Sequence, residues 1–319
     1  MEFSVFGSDV EIINPCVKHA SEIDDQTWMK VDAILAWHEL QYTADVIDKL
    51  NQCKVIVRVG VGFDNVDLIA SGKKGISVCN VPDYGTNDVA DHAIALMLTL
   101  MRGIHTYSEK VRLSKSWNWG DAGPLHRLTD LTIGIIGLGR IGTATALRAK
   151  SLGMYVKFFD PYVPDGLDKT LGFTRIQNLS ALLKQSDVVS IHCPLTEETK
   201  GMAASVFFND IKKGAVFINT ARGEIVEINA LNKALQSNHL KAAGLDVLPQ
   251  EPPDPNHSLI KAWRSGEQWI AHRLIITPHA AFYNEESYLE MRKKAAEEVK
   301  RVLNGQKPRN CVNQKYIIN

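Results

Sequence analysis

Apolar positions along the chain fall into two recurring patterns. Short branched runs suit buried strands, and longer stretches carry apolar residues at helical spacing. Residues 3–6, 33–36, 55–59 and 76–79 read as strands, and the polar-faced stretches 43–50 and 65–71 between them as helices. Residues 87–101 form a longer apolar helix, with Asn87 or Asp88 placed to cap it. Residues 106–130 show no period; two close tryptophans, Trp117 and Trp119, and a Gly-Pro at 123 and 124 mark this irregular stretch, which suits packing at a subunit or domain contact. Strands resume at 132–136, 155–159, 187–192, 215–219, 242–246 and 274–277, with helices at 141–152, 230–236 (Asn229 as its cap) and 291–303. Strands that alternate with helices predict an α/β chain with parallel sheets.

The stretch 131–160 carries the sharpest chemical signal. A strand runs into Gly137, Gly139 and Gly142, spaced G-x-G-x-x-G, and then into a helix whose C-terminal glycine is Gly153. In such a turn the first glycine permits the tight bend, the second lets backbone approach a pyrophosphate, and the third lets helix pack on strand. The next strand ends in Asp160, eighteen positions after Gly142, about where an acid meets the adenosine ribose. A carboxylate there favours NAD over NADP because it repels a 2′-phosphate; Lys157, on the same strand, weakens this only slightly. Asp160 also suits a plain turn before Pro161.

Composition narrows the classes. At 319 residues there is room for two domains, and 36 basic residues balance 36 acidic ones, so no net charge steers the chain to nucleic acid or an anionic membrane. Cys16, Cys53, Cys79, Cys193 and Cys311 are scattered without C-x-x-C spacing. That argues against a disulfide framework or zinc site and for a reducing compartment. The N-terminal residues lack the basic-then-apolar pattern of a signal peptide, and the apolar run 93–101 is too short to span a bilayer. A soluble cytoplasmic protein is the expectation.

Polar residues recur after successive strands of the second half: Arg222, Asp246, Glu251 and His279. Open α/β sheets bind ligands outside the carboxyl ends of their strands, so these four can converge although distant in sequence. Oxidation of an alcohol next to a carboxylate needs a cation for the carboxylate, a base for the hydroxyl proton and a nicotinamide to take the hydride. Arginine offers a planar fork for the first, histidine a pKa near working pH for the second, and a neighbouring Glu251 would orient the imidazole. Arg58, at the end of another strand before a glycine-rich loop, is a further candidate anion binder. Each also has a plain structural use: an Arg-Gly turn, a core histidine after proline, a loop glutamate, a solvated arginine.

The motifs Arg58 to Asp67, Gly137 to Gly142, Asn219 to Gly223, Gly244 to Pro252 and Thr277 to Ala281 resemble, in order and over nearly the whole chain, the D-isomer-specific 2-hydroxyacid dehydrogenase family. Cys79-Asn-Val-Pro82, Asp160-Pro-Tyr162 and Asn310-Cys-Val-Asn313 look most like its C-terminal-binding-protein branch and bacterial relatives. The resemblance implies two Rossmann-like domains: a doubly wound NAD-binding domain, residues 99–282, inserted into a smaller flavodoxin-like substrate domain, residues 1–98 and 283–319. It implies a catalytic set of Arg222 on the substrate carboxylate and keto oxygen, His279 as acid and base, and Glu251 as its partner. Val59, Gly60 and Val61 would hold the carboxylate through backbone N–H groups, with Arg58 adding charge. Arg140 and Ile141 would lie over the pyrophosphate, and Cys193, Pro194, Thr196 and Thr199 along the cofactor. Val61, Val89, Thr220, Ala221, Asp246 and Ala281 would lie toward the nicotinamide end, Asp246 accepting from the carboxamide.

The activity so implied is interconversion of a 2-oxo acid and a D-2-hydroxy acid with NAD, in a homodimer. The branch's transcriptional co-repressors suggest a rival, an NAD(H)-sensing interaction module; oxidation of formate or phosphite is a third reading. Two departures stand out. Phe282 replaces the Trp of the branch's vertebrate members, and the segment 254–273 is longer than usual. That segment reads as an inserted surface helix near a domain or dimer contact, or alternatively a substrate lid.

Overall fold

In the computed structural model, which describes residues 2–7 and 10–317, the chain forms two parallel sheets. The strands are β1 (Ala33–Ala36), β2 (Val55–Arg58), β3 (Ser77–Asn80), β4 (Thr132–Ile136), β5 (Tyr155–Phe159), β6 (Thr174–Arg175), β7 (Val188–Ile191), β8 (Val216–Asn219), β9 (Ala242–Leu245) and β10 (Leu274–Ile276). Contacts divide the chain into Met1–Gly85 with Tyr283–Asn319, and Thr86–Phe282.

In the larger unit the order is β10-β9-β8-β7-β4-β5-β6, all parallel. Two series run outward from β4, one through β5 and the other through β7, so the order reverses between β4 and β7. A doubly wound sheet opens its ligand crevice there, outside the strands' carboxyl ends. Strands β7, β8 and β9 are buried at every position, which their mostly apolar composition foretells for strands covered on both faces.

The first domain boundary falls at 85/86, not 98/99. The helix Thr86–Met101 packs Ala93, Leu96, Met97 and Leu100 into the same core as Ile133, Ile135, Val216 and Ile218 of the larger sheet. Its apolar face belongs to that sheet, so the chain changes unit before the helix rather than inside it. Asn87 and Asp88 lie within its first turn and not at a cap.

In the smaller unit β1-β2-β3 form a three-stranded sheet. Residues 3–6, expected as a strand, are helical instead: Glu2–Phe6 is held by a two-point ion pair from Arg292 to Glu2 (2.7 and 2.5 Å) and by Lys300 donating to the Val5 carbonyl. Both cations sit on the helix Glu285–Leu303, which begins before the expected 291 and is capped by Asn284 accepting from the Ser287 N–H.

Three further expectations change. The stretch 106–130 is not irregular throughout: Ile104–Ser114 is a helix without a buried residue. Glu227, not Asn229, precedes the helix Ile228–Gln236; Asn229 instead meets His257 Nε2 at 3.0 Å. The segment 254–273 does contain a helix, Ser258–Ser265, but it is no surface appendage. Leu259, Ile260 and Ile270 are fully buried in the sheet's core, and Arg273 bonds the carbonyls of Leu235, Leu240 and Lys241. A segment so fixed does not suit a lid.

Candidate active site

The glycine turn has the geometry its spacing foretells. Gly137 leaves β4 with φ +87°, where L side chains are strained, and an added Cβ would lie 2.7 Å from the Cys193 nitrogen. A Cβ on Gly142 would lie 2.0 Å from the Gly137 carbonyl oxygen, so only glycine lets the helix Arg140–Ser151 start this close to β4. A Cβ on Gly139 would meet nothing within 4 Å. Sequence spacing assigns a pyrophosphate to that side of the loop, and the space is there. The helix's first-turn N–H groups, those of Arg140, Ile141 and Gly142 among them, have no acceptor inside the helix and favour an anion.

Asp160 follows β5 beside this turn. One oxygen accepts from the Leu138 N–H at 2.7 Å, the other from the Tyr162 N–H at 2.9 Å. The carboxylate is thereby fixed at the rim of the turn, as an acid that meets ribose hydroxyls must be. Lys157 donates to Gln185 at 2.6 Å and so is bonded away from this carboxylate. Across the turn, the segment after β7 carries Cys193, whose thiol burial pushes up to about 12, so it stays a neutral wall. The Thr199 hydroxyl bonds the Pro194 carbonyl at 2.6 Å and accepts from the Thr196 N–H at 2.8 Å, which makes Pro194, Thr196 and Thr199 one self-bonded turn. The buried Thr220 hydroxyl, after β8, has no hydrogen-bond partner among the described residues. These features fit a bound dinucleotide: room at the second glycine, a fixed acid at the ribose position and an orphaned hydroxyl farther along the crevice.

The catalytic candidates stand on the loops after β8, β9 and β10. His279 Nδ1 lies 2.8 Å from Glu251 Oε2, and Glu251 Oε1 accepts from the Leu248 N–H at 2.9 Å. A Cβ on Gly223 would fall 1.9 Å from the Leu248 carbonyl carbon; the Arg222-Gly223 turn therefore packs directly on the backbone that leads to Glu251. Arg222 Nη1 donates to the Ala221 carbonyl at 2.8 Å, and the Asn219 side chain bonds the Arg222 carbonyl at 3.0 Å.

Asp246 does more than the sequence suggests. Its carboxylate, 2% exposed, accepts from Thr277 Oγ1 (2.6 Å) and from the Ala280 and Ala281 N–H groups (2.9 Å each). Its backbone carbonyl accepts from the His279 N–H at 2.8 Å. His279 adopts φ +52°, a left-handed conformation uncommon outside glycine, and its N–H is shared by the Asp246 and Thr277 carbonyls at 2.8 and 3.0 Å. His92, which sequence reasoning missed, joins this cluster: Nε2 lies 3.0 Å from Thr277 Oγ1 and 3.7 Å from Asp246 Oδ1. The one available signal was spacing, since Val89 and His92 share a helix face.

The loop expected to bind a carboxylate follows β2 in the smaller unit. Arg58 is buried, and its Nη1 donates to the Val59 carbonyl; a Cβ on Gly60, at φ +149°, would lie 2.1 Å from that nitrogen. Val59 N–H donates to Ala36 O and Gly60 N–H to Arg58 O, both at 2.8 Å. Two of the three amides expected to face a carboxylate are thus turned to carbonyls, and Val61 is the one without a backbone acceptor among the described residues.

The family profile described as D-isomer specific 2-hydroxyacid dehydrogenase, NAD binding domain, matches residues 94–281. The chain belongs to the D-isomer specific 2-hydroxyacid dehydrogenase family. Its larger unit is that family's NAD-binding domain, and NAD is its cofactor. Among relatives of this family, the chain is 31% identical to C-terminal-binding protein 1 of Caenorhabditis elegans, over 97% of this chain and 43% of that one. It is 34% identical to D-3-phosphoglycerate dehydrogenase of Methanocaldococcus jannaschii, over 90% and 52%. The chain thus spans about half the length of the curated relatives it matches. A solved structure, D-lactate dehydrogenase from Aquifex aeolicus complexed with NAD and lactic acid, superposes with TM-score 0.79 at 32% identity, over 90% of this chain and 87% of that one.

Proposed function

We propose that the protein is an NAD-dependent dehydrogenase that interconverts a 2-oxo acid and a D-2-hydroxy acid. The 2.8 Å bond between His279 Nδ1 and Glu251 carries this reading. With the Nδ1 proton donated to the carboxylate, Nε2 is the nitrogen that exchanges a proton with the substrate oxygen, and Glu251 stabilises the imidazolium that results. Arg222, anchored through Nη1, holds the substrate carboxylate and polarises the carbonyl. Gly137, Gly139, Arg140, Ile141, Gly142 and Asp160 hold the adenosine and pyrophosphate portions, and Val89, Thr220, Ala221, Asp246 and Ala281 the nicotinamide end. The bound cofactor supplies the hydride; the protein supplies position and the proton. Arg58 and Val61 contribute to the carboxylate's site.

A panel of small 2-oxo acids, followed by NADH absorbance, tests the activity. Turnover of at least one acid is expected, with a loss of about 10²–10⁴-fold in His279→Ala and Arg222→Ala at unchanged NADH affinity. Full turnover in either variant refutes the assignment. Similarity to C-terminal-binding protein 1 supports a second reading, an NAD(H)-sensing interaction module. Tight NADH binding with no turnover of any acid would favour it. The proposed assembly is a homodimer, supported by Trp117 and Trp119 standing 91% and 88% exposed beside a helix with no buried residue.

A further inference from the structure

Two thiols that are 232 positions apart in sequence lie face to face in the smaller unit. Cys79 lies in β3, one residue before its end, fully buried; Cys311, half-buried, lies opposite it in an isolated antiparallel bridge. The flanking residues make the hydrogen bonds: Asn80 N–H to Asn310 O at 3.3 Å and Val312 N–H to Val78 O at 2.8 Å. That pattern makes Cys79 and Cys311 a non-hydrogen-bonded pair, the kind in which Cα atoms sit about 4.5 Å apart and side chains are closest. A disulfide needs Cα atoms about 4.4–6.8 Å apart, so the backbone already meets the requirement at its short edge. The pairing is held firmly. Buried Asn313 accepts from the Val78 N–H at 2.8 Å, donates to Ile76 O at 2.9 Å and accepts from the Cys311 thiol at 3.2 Å. A cleft of about 470 Å³ is lined by Asn80 and Asn310, the chain neighbours of the two cysteines, and by Glu298; Cys311 itself is only half-buried.

We propose that Cys79 and Cys311 are a modification site: a thiol pair that a small organic disulfide closes into an intramolecular bond and a thiol reductant reopens. Cys311, the more exposed member, attacks the oxidant RSSR as a thiolate, forms Cys311–S–SR and expels RS⁻. Cys79 then gives up its proton and attacks Cys311 Sγ, and the second RS⁻ leaves. Two protein thiols are oxidised, one disulfide is reduced, and the two protons go to the departing thiolates. Burial first, then Glu298 and Cys311 alongside, hold the Cys79 thiol far above its ordinary value, so half-buried Cys311 is the point of entry and the RS⁻ it expels takes the Cys79 proton in the second step. The bond ties the C-terminal segment to the end of β3, next to Asn80 and Val81. These bond the Val61 and Gly60 carbonyls at 2.6 and 2.9 Å, so the tether bears on the candidate carboxylate loop.

The test uses the full chain carrying Cys16→Ser, which removes the exposed thiol, with oxidised glutathione as the probe. Thiols titrated after denaturation are expected to fall from four to two, to return to four with dithiothreitol, and to map to a peptide linking residues 79 and 311. Cys311→Ser is expected to keep its three remaining thiols unoxidised, with an unchanged far-ultraviolet spectrum. An unchanged count in the parent, losses that map to Cys53 or Cys193, or a Cys311 adduct that never closes on Cys79 would each overturn the proposal.

Discussion

His192 shows how one residue's surroundings set a property of the whole fold. It follows β7, lies against the would-be Cβ position of Gly142 and meets Ser190 Oγ at 2.8 Å. Desolvation holds its imidazole down to about 4, from 6.5 in the open. The native ring stays neutral while the unfolded ring takes up a proton first as pH falls. Stability therefore declines between about 6.5 and about 4, by about 1–3 kcal/mol, and is unaffected by this group above that window. Urea denaturation of the wild type and His192→Gln at both ends of the window is expected to show the smaller acid loss in the variant. At the adjacent rim, Asp160→Ala removes the negative charge set to meet a ribose. Fluorescence titration is expected to find weaker NADH binding and a narrowed gap to NADPH, whereas an unchanged ratio would detach Asp160 from cofactor choice.

Elements meet at loops, and the loop after β10 depends on the end of β9. Asp246 satisfies three donors of the 277–281 turn, two of them backbone N–H groups. Asp246→Asn puts an NH₂ where a carboxylate oxygen accepted, leaving a buried N–H facing a donor at a cost of about 1–3 kcal/mol. The expected result is a lower melting temperature together with a fall in kcat larger than any change in NADH affinity, because the His279 turn loses its anchor. A kcat left at the wild-type value would show that the turn holds itself. Gly223 serves the neighbouring junction: its backbone packs on that of Leu248 with no room for even one added carbon. Sequence showed Arg222, Asp246, Glu251 and His279 after strands; it did not show that Asp246 holds the backbone of His279, because carboxylate-to-amide pairing over thirty-odd residues leaves no local pattern.

For the whole molecule, the feature that most needs explanation is apolar surface. Besides Trp117 and Trp119, Leu113 is 64% and Ile104 55% exposed, all in one stretch of the larger unit. Exposed aromatic and aliphatic groups of this size support the proposed homodimer contact in this stretch. Sedimentation of the wild type is expected to give a dimer, and Trp117→Glu with Trp119→Glu a monomer that retains NADH binding. A double variant that remains dimeric would move the interface elsewhere. No helix among the described residues is long and apolar enough to cross a membrane.

Local chemistry settled much of this protein before any coordinates. Short apolar runs identified six of the seven strands of the larger sheet, the two-residue β6 being too short to show a pattern, and three glycines and an aspartate marked a cofactor turn, since turn geometry and close approach are demands each residue meets by itself. Tertiary packing decided what periodicity cannot express. It made residues 2–6 helical through an ion pair with Arg292, drew the helix Thr86–Met101 into the larger unit, buried Leu259 and Ile260 of the inserted segment, turned the Val59 and Gly60 amides to carbonyls, and set Cys79 opposite Cys311. Each of these rests on partners distant along the chain, and a contact's energy depends on distance in space, which sequence separation does not encode.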